Sequence, residues 1–325
     1  MLNSGADELN VQYRPGKQER SKDCRRYVCG GLGTQHLSGV VRNFLHQVAH
    51  SSQTSAGAWS DLDFVNCFPT ILWSLLQALG IPCPALKAYI ERRDYYLERV
   101  DRYCTTKYGV QWSVPRNLAK TAFISIIHQC GDYKSVEGIH PGGVPLLDVF
   151  AADVRLACAA LSQHVQLKEV ARLVRLANNP VGTLVAIVCQ RVEHAALALV
   201  FAECEKAGVV PRVNMFDGVL VTGFAGLTTG EQDTLLRSCE AAIAAELGIP
   251  LKLKEKSIPE VTLQQLHVAS RKLVTNDAFD VFTETFSSTV HHISRRYVGW
   301  SLVCGEQVCL DLVCSLLVTS SSQHH

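Results

Sequence analysis

Two carboxylates, Asp61 and Asp63, interrupt the apolar run SDLDFVNCFPTIL at residues 60–72. A third, Asp217, stands beside Gly218 in NMFDGVLV. Asp63 closes a segment that reads as a strand, and Asp217-Gly218 lies between two β-rich arms, the dipeptide favoured in tight hairpin turns. A carboxylate at a strand end and another on a neighbouring hairpin tip can share divalent cations. Hard oxygen ligands suit Mg²⁺, which takes one or two carboxylates and fills its other positions with water and substrate phosphates. Two such ions about 4 Å apart activate a hydroxyl nucleophile and stabilise the leaving oxygen of an in-line displacement. An Asp-Gly pair in a hairpin is ordinarily a turn and nothing more.

Arg116 and Lys120 lie four apart in PRNLAKTAFISIIHQC and share one helix face. No acidic residue at helical spacing offsets their repulsion, so an anionic ligand would turn a cost into a gain. A triphosphate is the natural candidate once metals are nearby. The alternative is an exposed basic stripe.

These side chains need elements to hold them. WSDLDFV reads as a strand with Leu62 and Phe64 on one face and Asp61 and Asp63 on the other. PTILWSLLQALG reads as a helix from about Pro69 to Gly80. A charged amphipathic helix follows over PCPALKAYIERRDYYLERVDRYC, and further helices over PRNLAKTAFISIIHQC, LLDVFAADVRLACAALSQHV and GTLVAIVCQRVEHAALALVFAECEKAG. RVNMFDGVLVTG reads as a hairpin, GEQDTLLRSCEAAIAAELG as a helix and IPLKLKEKSI as a strand. Nearer the start, VVRNFLHQVAH reads as a short helix. Strand, helical block, hairpin, helix, strand is the order of an α+β fold with a helical insertion between its first strand and its hairpin.

Bulk properties narrow the classes. The 325 residues, 47% of them hydrophobic, can bury a sizeable core. Lys plus Arg is 31 against 30 for Asp plus Glu, so global charge does not mark a nucleic-acid binder, although a local basic surface is compatible with it. The thirteen cysteines are irregularly spaced and include no CxxC. Cys158, Cys189 and Cys204 fall in apolar runs, which points to buried thiols in a reducing compartment rather than a zinc cluster. GGLGTQHLSG lacks the spacing and context of a dinucleotide loop. The polar start MLNSGADELN is unlike a signal peptide, and the longest apolar tract, VGWSLVCGEQVCLDLVCSLLVT, is broken by Glu306 and Asp311. A soluble, intracellular protein without a membrane partner is the expectation.

The motifs carry a resemblance. DFVNCFPTI, from Asp63, resembles the first palm motif of family B DNA polymerases, in which Asp-Phe is followed by Leu-Tyr-Pro-Ser-Ile. RNLAKTAFISIIHQCG is similar to the fingers helix of family A polymerases, with Arg116 and Lys120 in the Arg and Lys places, Ile124 where an aromatic stands, and no counterpart for Tyr-Gly. Phe216, Asp217 and Gly218 stand where family A has His-Asp-Glu. The motifs occur in the family's order across residues 60–222, and the Asp-Asp-Asn-Pro-Thr-Ile-Leu run also resembles short family A-like proteins of large DNA viruses and protists.

What this resemblance implies is a polymerase-like palm, a small antiparallel sheet with helices, carrying a mainly helical fingers insertion. The divisions would be a basic arm and pre-palm segment at 1–60, palm at 61–84, fingers-like helices at 85–184, palm with hairpin at 185–260, and a tail or thumb substitute at 261–325. Asp63 and Asp217 would be catalytic, holding two Mg²⁺ (or Mn²⁺) with help from Asp61, because Gly218 replaces the family A glutamate. Arg116 and Lys120 would bind the triphosphate. Asn66 and Phe68 would line the nucleotide site, Phe68 as a bulky wall against a 2′-hydroxyl, although a core Phe is the ordinary alternative. Gln35, Arg42, Lys254 and Lys256 would contact nucleic acid. The partners implied are primer-template, chiefly DNA, and dNTP. Two other readings stay open: an inactive palm-fold nucleic-acid binder, favoured by Gly218 and the lack of room for a thumb, and a metal-dependent nuclease with His128 brought in as base.

Overall fold

A computed structural model of the protein describes residues 13–15, 26–28, 59–108, 115–131 and 142–257. The expected helix at 40–50, the residues Gln35 and Arg42, and the segment 261–325 lie outside them. Two short strands, β1 (Tyr13–Pro15) and β2 (Arg26–Val28), pair antiparallel. The main sheet consists of β3 (Trp59–Val65), β4 (Val210–Met215), β5 (Gly218–Thr222) and β6 (Lys252–Lys256), in the order β4-β5-β3-β6 with every neighbour antiparallel. The fold is α+β, as the element order implied.

Alternation in β3 works as the sequence suggests. Ser60, Leu62 and Phe64 are buried while Asp61, Asp63 and Val65 are half-buried, so one face of the strand belongs to the core and the other to the site. Central β5 is buried along its whole length. On edge strand β6 only Leu253 is buried, and its lysines are exposed.

Among the described residues, seven helices intervene between β3 and β4: α1 (Cys67–Ala78), α2 (Pro84–Glu91), α3 (Arg93–Tyr108), α4 (Pro115–His128), α5 (Pro145–Ser162), α6 (Lys168–Val174) and α7 (Pro180–Lys206). An eighth, α8 (Thr229–Leu247), precedes β6. The single charged helix expected after Pro84 is two, because Arg92 leaves helical geometry at φ −133° and ψ 42°. Helix α1 begins at Cys67, two residues before the expected start, because Asn66 turns the chain in the left-handed region (φ 53°, ψ 39°). Helix α6 was not anticipated. Helix α8 opens on a capping box between Thr228 and Glu231 and closes on Gly248 at φ 69°.

The core joins sheet and helices. Leu62 and Phe64 of β3 pack with Ile71, Leu72 and Leu76 of α1 and with the buried face of α7. Helix α7 is long and apolar enough to cross a membrane, but half of its apolar window is buried in the protein and it packs on α1, α5, α6 and α8, as a core helix does. It runs unbroken from Pro180 to Lys206, in keeping with the single long helix expected there. The eight cysteines among the described residues are buried, Cys158, Cys189 and Cys204 included, as their apolar settings predicted.

Candidate active site

Asp63 sits near the end of β3, opposite Gly218 of β5 on one side and Lys254 of β6 on the other. Asp61, two residues back on the same face, is opposite Leu220 and Lys256. Met215 pairs with Gly218, so the hairpin turn is Phe216-Asp217 and not Asp217-Gly218. Phe216 carries the left-handed turn conformation at φ 57°. Gly218 is already in the ladder, and the reason is steric. A Cβ there would lie 2.7 Å from the Leu62 carbonyl oxygen and 3.1 Å from Asp63 Oδ1. The glycine makes space for the Asp63 carboxylate. The Asp217 carbonyl accepts from the Phe64 N–H at 3.0 Å, which ties the turn to the end of β3. Two acids distant in sequence are thereby held side by side at one end of the sheet.

Their proximity has an electrostatic signature. The Asp63 carboxyl is pushed up to about 6 by burial first, then by the negative charges of Asp217 and Asp61, against the pull of Lys256 and Lys120. Lys256 Nζ lies 3.7 Å from Asp63 Oδ2. Lys120, exposed on α4, belongs to the same field. Its ammonium is pushed down by desolvation and by the cations Arg93 and Lys256, while Asp217 and Asp63 pull it up. The site therefore combines carboxylates at the sheet end with cations from three elements: α3, α4 and β6.

Mg²⁺ needs only one or two protein carboxylates, and Asp63 with Asp217 form a pair that a cation would relieve of mutual repulsion. Among the described residues no three acids, imidazoles or thiols converge to hold a metal, so Asp61 is a same-face neighbour rather than part of a closed ligand cage. The residues fit a water- and phosphate-completed ion held by Asp63 and Asp217, with Lys256 neutralising Asp63 when no ion is bound.

Other predicted residues fall variously. Arg116 is on α4, one turn before Lys120; its side chain lies outside the description. Lys254 is exposed opposite Asp63, on the lysine-bearing edge strand. Asn66 and Phe68 stand at the start of α1, directly after the strand that carries Asp63. Asn66 makes no side-chain cap bond at the start of α1, and its left-handed backbone accounts for the residue type. Phe68 is 6% exposed, a core side chain whose ring packs on His128 of α4 with centroids 4.2 Å apart. His128 is thus a packing partner of Phe68, two turns beyond Lys120 on α4. Arg93 was missed. It lies in the ERRDYY run, where a charged stretch reads as a solvated face, and only the fold turns it toward Lys120.

No protein-family model matches the chain. Over 238 residues, 71% of its length, it is 22% identical to a protein of Sputnik virophage described as "Putative helicase V13". The chain spans 28% of that relative's length. At this identity the likeness is to a part of the viral protein, and the chemistry of the site rests on the geometry above.

Proposed function

We propose that this protein is a template-directed nucleotidyltransferase that extends a nucleic-acid 3′-hydroxyl with dNTP. The observation that carries the reading is the convergence of Asp63 and Asp217 at one sheet end, with a pKa of about 6 on Asp63 and Lys120 within their field. Divalent cations bound there would supply Lewis-acid activation of the hydroxyl and charge relief at the leaving pyrophosphate. This chain's own residues do the rest. Asp63 and Asp217 orient the cations, and Gly218 keeps the Asp63 carboxylate unobstructed. Lys120 stabilises charge developing on the departing phosphates. The depressed ammonium of Lys120 also makes it a ready proton donor to that leaving group. Lys254 and Lys256 on β6 offer positive charge for the phosphates of a primer-template, most simply DNA.

The relative's printed name raises a nucleic-acid motor as a competitor. These 325 residues contain no G-x-x-x-x-G-K-[S/T] run, so the phosphate loop of that chemistry has no residues here. A second reading, a palm-fold nucleic-acid binder that no longer polymerises, draws on one observation. Lys256 already sits 3.7 Å from Asp63, where a cation would go.

Primer extension with Mg²⁺ and dNTP separates the two. The wild-type protein should extend a primer, and Asp63→Ala and Asp217→Ala should each abolish extension while melting at the wild-type temperature or above, since each removes a repelling charge. Lys120→Ala should cut incorporation roughly tenfold or more, the worth of a charge-assisted phosphate contact of about 1.5–3 kcal/mol. Binding of primer-template without extension by wild type supports the inactive reading, and extension by either Asp variant at the wild-type rate removes that residue from the site.

A further inference from the structure

Arg93 opens α3, immediately after the break at Arg92. Tyr89, one turn earlier, stacks on Phe123 of α4 with ring centroids 4.6 Å apart. Tyr96, one turn later, meets the same ring edge-on at 6.1 Å. Arg93 therefore lies on the row of α2–α3 that faces α4. Phe123 is three residues past Lys120, so the helical repeat brings Lys120 to the same seam. The Arg93 Nε is buried without a hydrogen-bond partner. A guanidinium carries a fixed charge and a planar fork of donors suited to phosphate oxygens, and a buried donor left unmade is costly. Arg93 is also one of the charges that hold the Lys120 ammonium down. Two cations share one electrostatic field, and one of them keeps a buried, unused Nε donor although its guanidinium also interacts with Tyr89; the same anion would relieve both.

We propose that Arg93 and Lys120 form a polyphosphate subsite across the α3–α4 seam, and that Arg93 contacts a phosphate of the incoming nucleotide. This deepens the nucleotidyltransferase reading by adding a residue from a second helix to the triphosphate contacts, and rests on it for the identity of the ligand. The subsite recognises charge and oxygen geometry, not base or sugar. Arg93 should therefore discriminate between phosphate chains of different length and ignore the nucleoside.

Calorimetric titration of the full chain with inorganic tripolyphosphate, in the absence of divalent cations and nucleic acid, tests the subsite without requiring catalysis. Wild type should bind, Arg93→Gln should bind about tenfold more weakly or worse, and Arg93→Lys should recover part of the loss. The Arg93→Gln penalty should shrink from tripolyphosphate to pyrophosphate to orthophosphate, a gradient that mere loosening of α3 would not produce. A melting curve for each variant checks that α3 still packs. Equal binding by wild type and a folded Arg93→Gln variant overturns the role of Arg93 and leaves the nucleotidyltransferase reading standing if primers are still extended. Binding that depends on Arg93 in a protein that extends no primer does the reverse. No binding of tripolyphosphate by wild type overturns the subsite.

Discussion

Phe68 shows how one residue type admits two readings until its neighbours are known. From the sequence it stood five places after a candidate metal ligand, just before Pro69, where a bulky side chain could exclude a ribose hydroxyl. In the structure it is 6% exposed and its ring rests on His128. A side chain so enclosed contributes mainly packing. Phe68→Ala should lower stability by about 3–5 kcal/mol, through lost burial and the cavity left behind. Its effect on rNTP and dNTP incorporation should be alike, because it would act through the seating of α1 on α4. Parallel kinetics with both sugars and a melting curve check this. A selective gain in ribonucleotide use with an unchanged melting temperature would restore the gate. At this scale the acids and Lys120 were legible, since charged groups in apolar surroundings stand out by type and spacing. Arg93 was not, because its run of charged neighbours is what any solvated helix face looks like.

Elements were legible where periodicity was strong and less so where a single backbone conformation decided the boundary. The alternation of β3, the long apolar α7 and the capped α8 all follow from pattern. The start of α1 and the position of the hairpin turn do not. Each depends on a non-glycine residue in the left-handed region, Asn66 at φ 53° and Phe216 at φ 57°, which sequence pattern disfavours. Tertiary demand selects them. Gly218, the natural turn residue, is needed in the ladder against Asp63, so the turn moves one place back. Two substitutions separate conformation from chemistry. Asn66→Gly should leave both melting temperature and incorporation close to wild type, whereas Asn66→Val should cost roughly 1–2 kcal/mol, since a β-branched residue resists the left-handed region. Gly218→Ala should be destabilising by about 1–3 kcal/mol, because its Cβ would meet a backbone carbonyl that cannot swing away. A large loss of activity in a stable Asn66→Gly protein would mean that the amide, not the backbone, serves the site.

For the molecule as a whole, the α+β order of strand, helices, hairpin, helix and strand could be read in advance, but the convergence of charge could not, because it depends on β6 lying beside β3 and on α3 lying against α4. That convergence leaves a thermodynamic mark on folding itself. The Asp63 pKa rises from 3.8 to about 6 on folding. Its protonated form is therefore favoured in the folded state. The associated stability is fully present below about pH 4 and is lost as pH climbs through 6. The loss amounts to about 1–3 kcal/mol by pH 8, the lower values allowing for the residual solvent contact of the carboxylate. Asp63→Asn should flatten this part of the profile and melt higher than wild type at pH 8, with the difference vanishing near pH 4. A divalent cation held by Asp63 and Asp217 binds the ionised form and competes with the proton, so Mg²⁺ should raise the wild-type melting temperature at pH 8 and do little at pH 5. In Asp63→Asn the Mg²⁺ shift should disappear at both. Lys256, 3.7 Å from the carboxylate, is the internal competitor, and its replacement by Gln should enlarge the shift at pH 8. Melting curves at the two pH values, with and without Mg²⁺, decide the matter without any assay of catalysis. A shift that is equal at both pH values, or that survives in Asp63→Asn, would place the cation elsewhere on the protein.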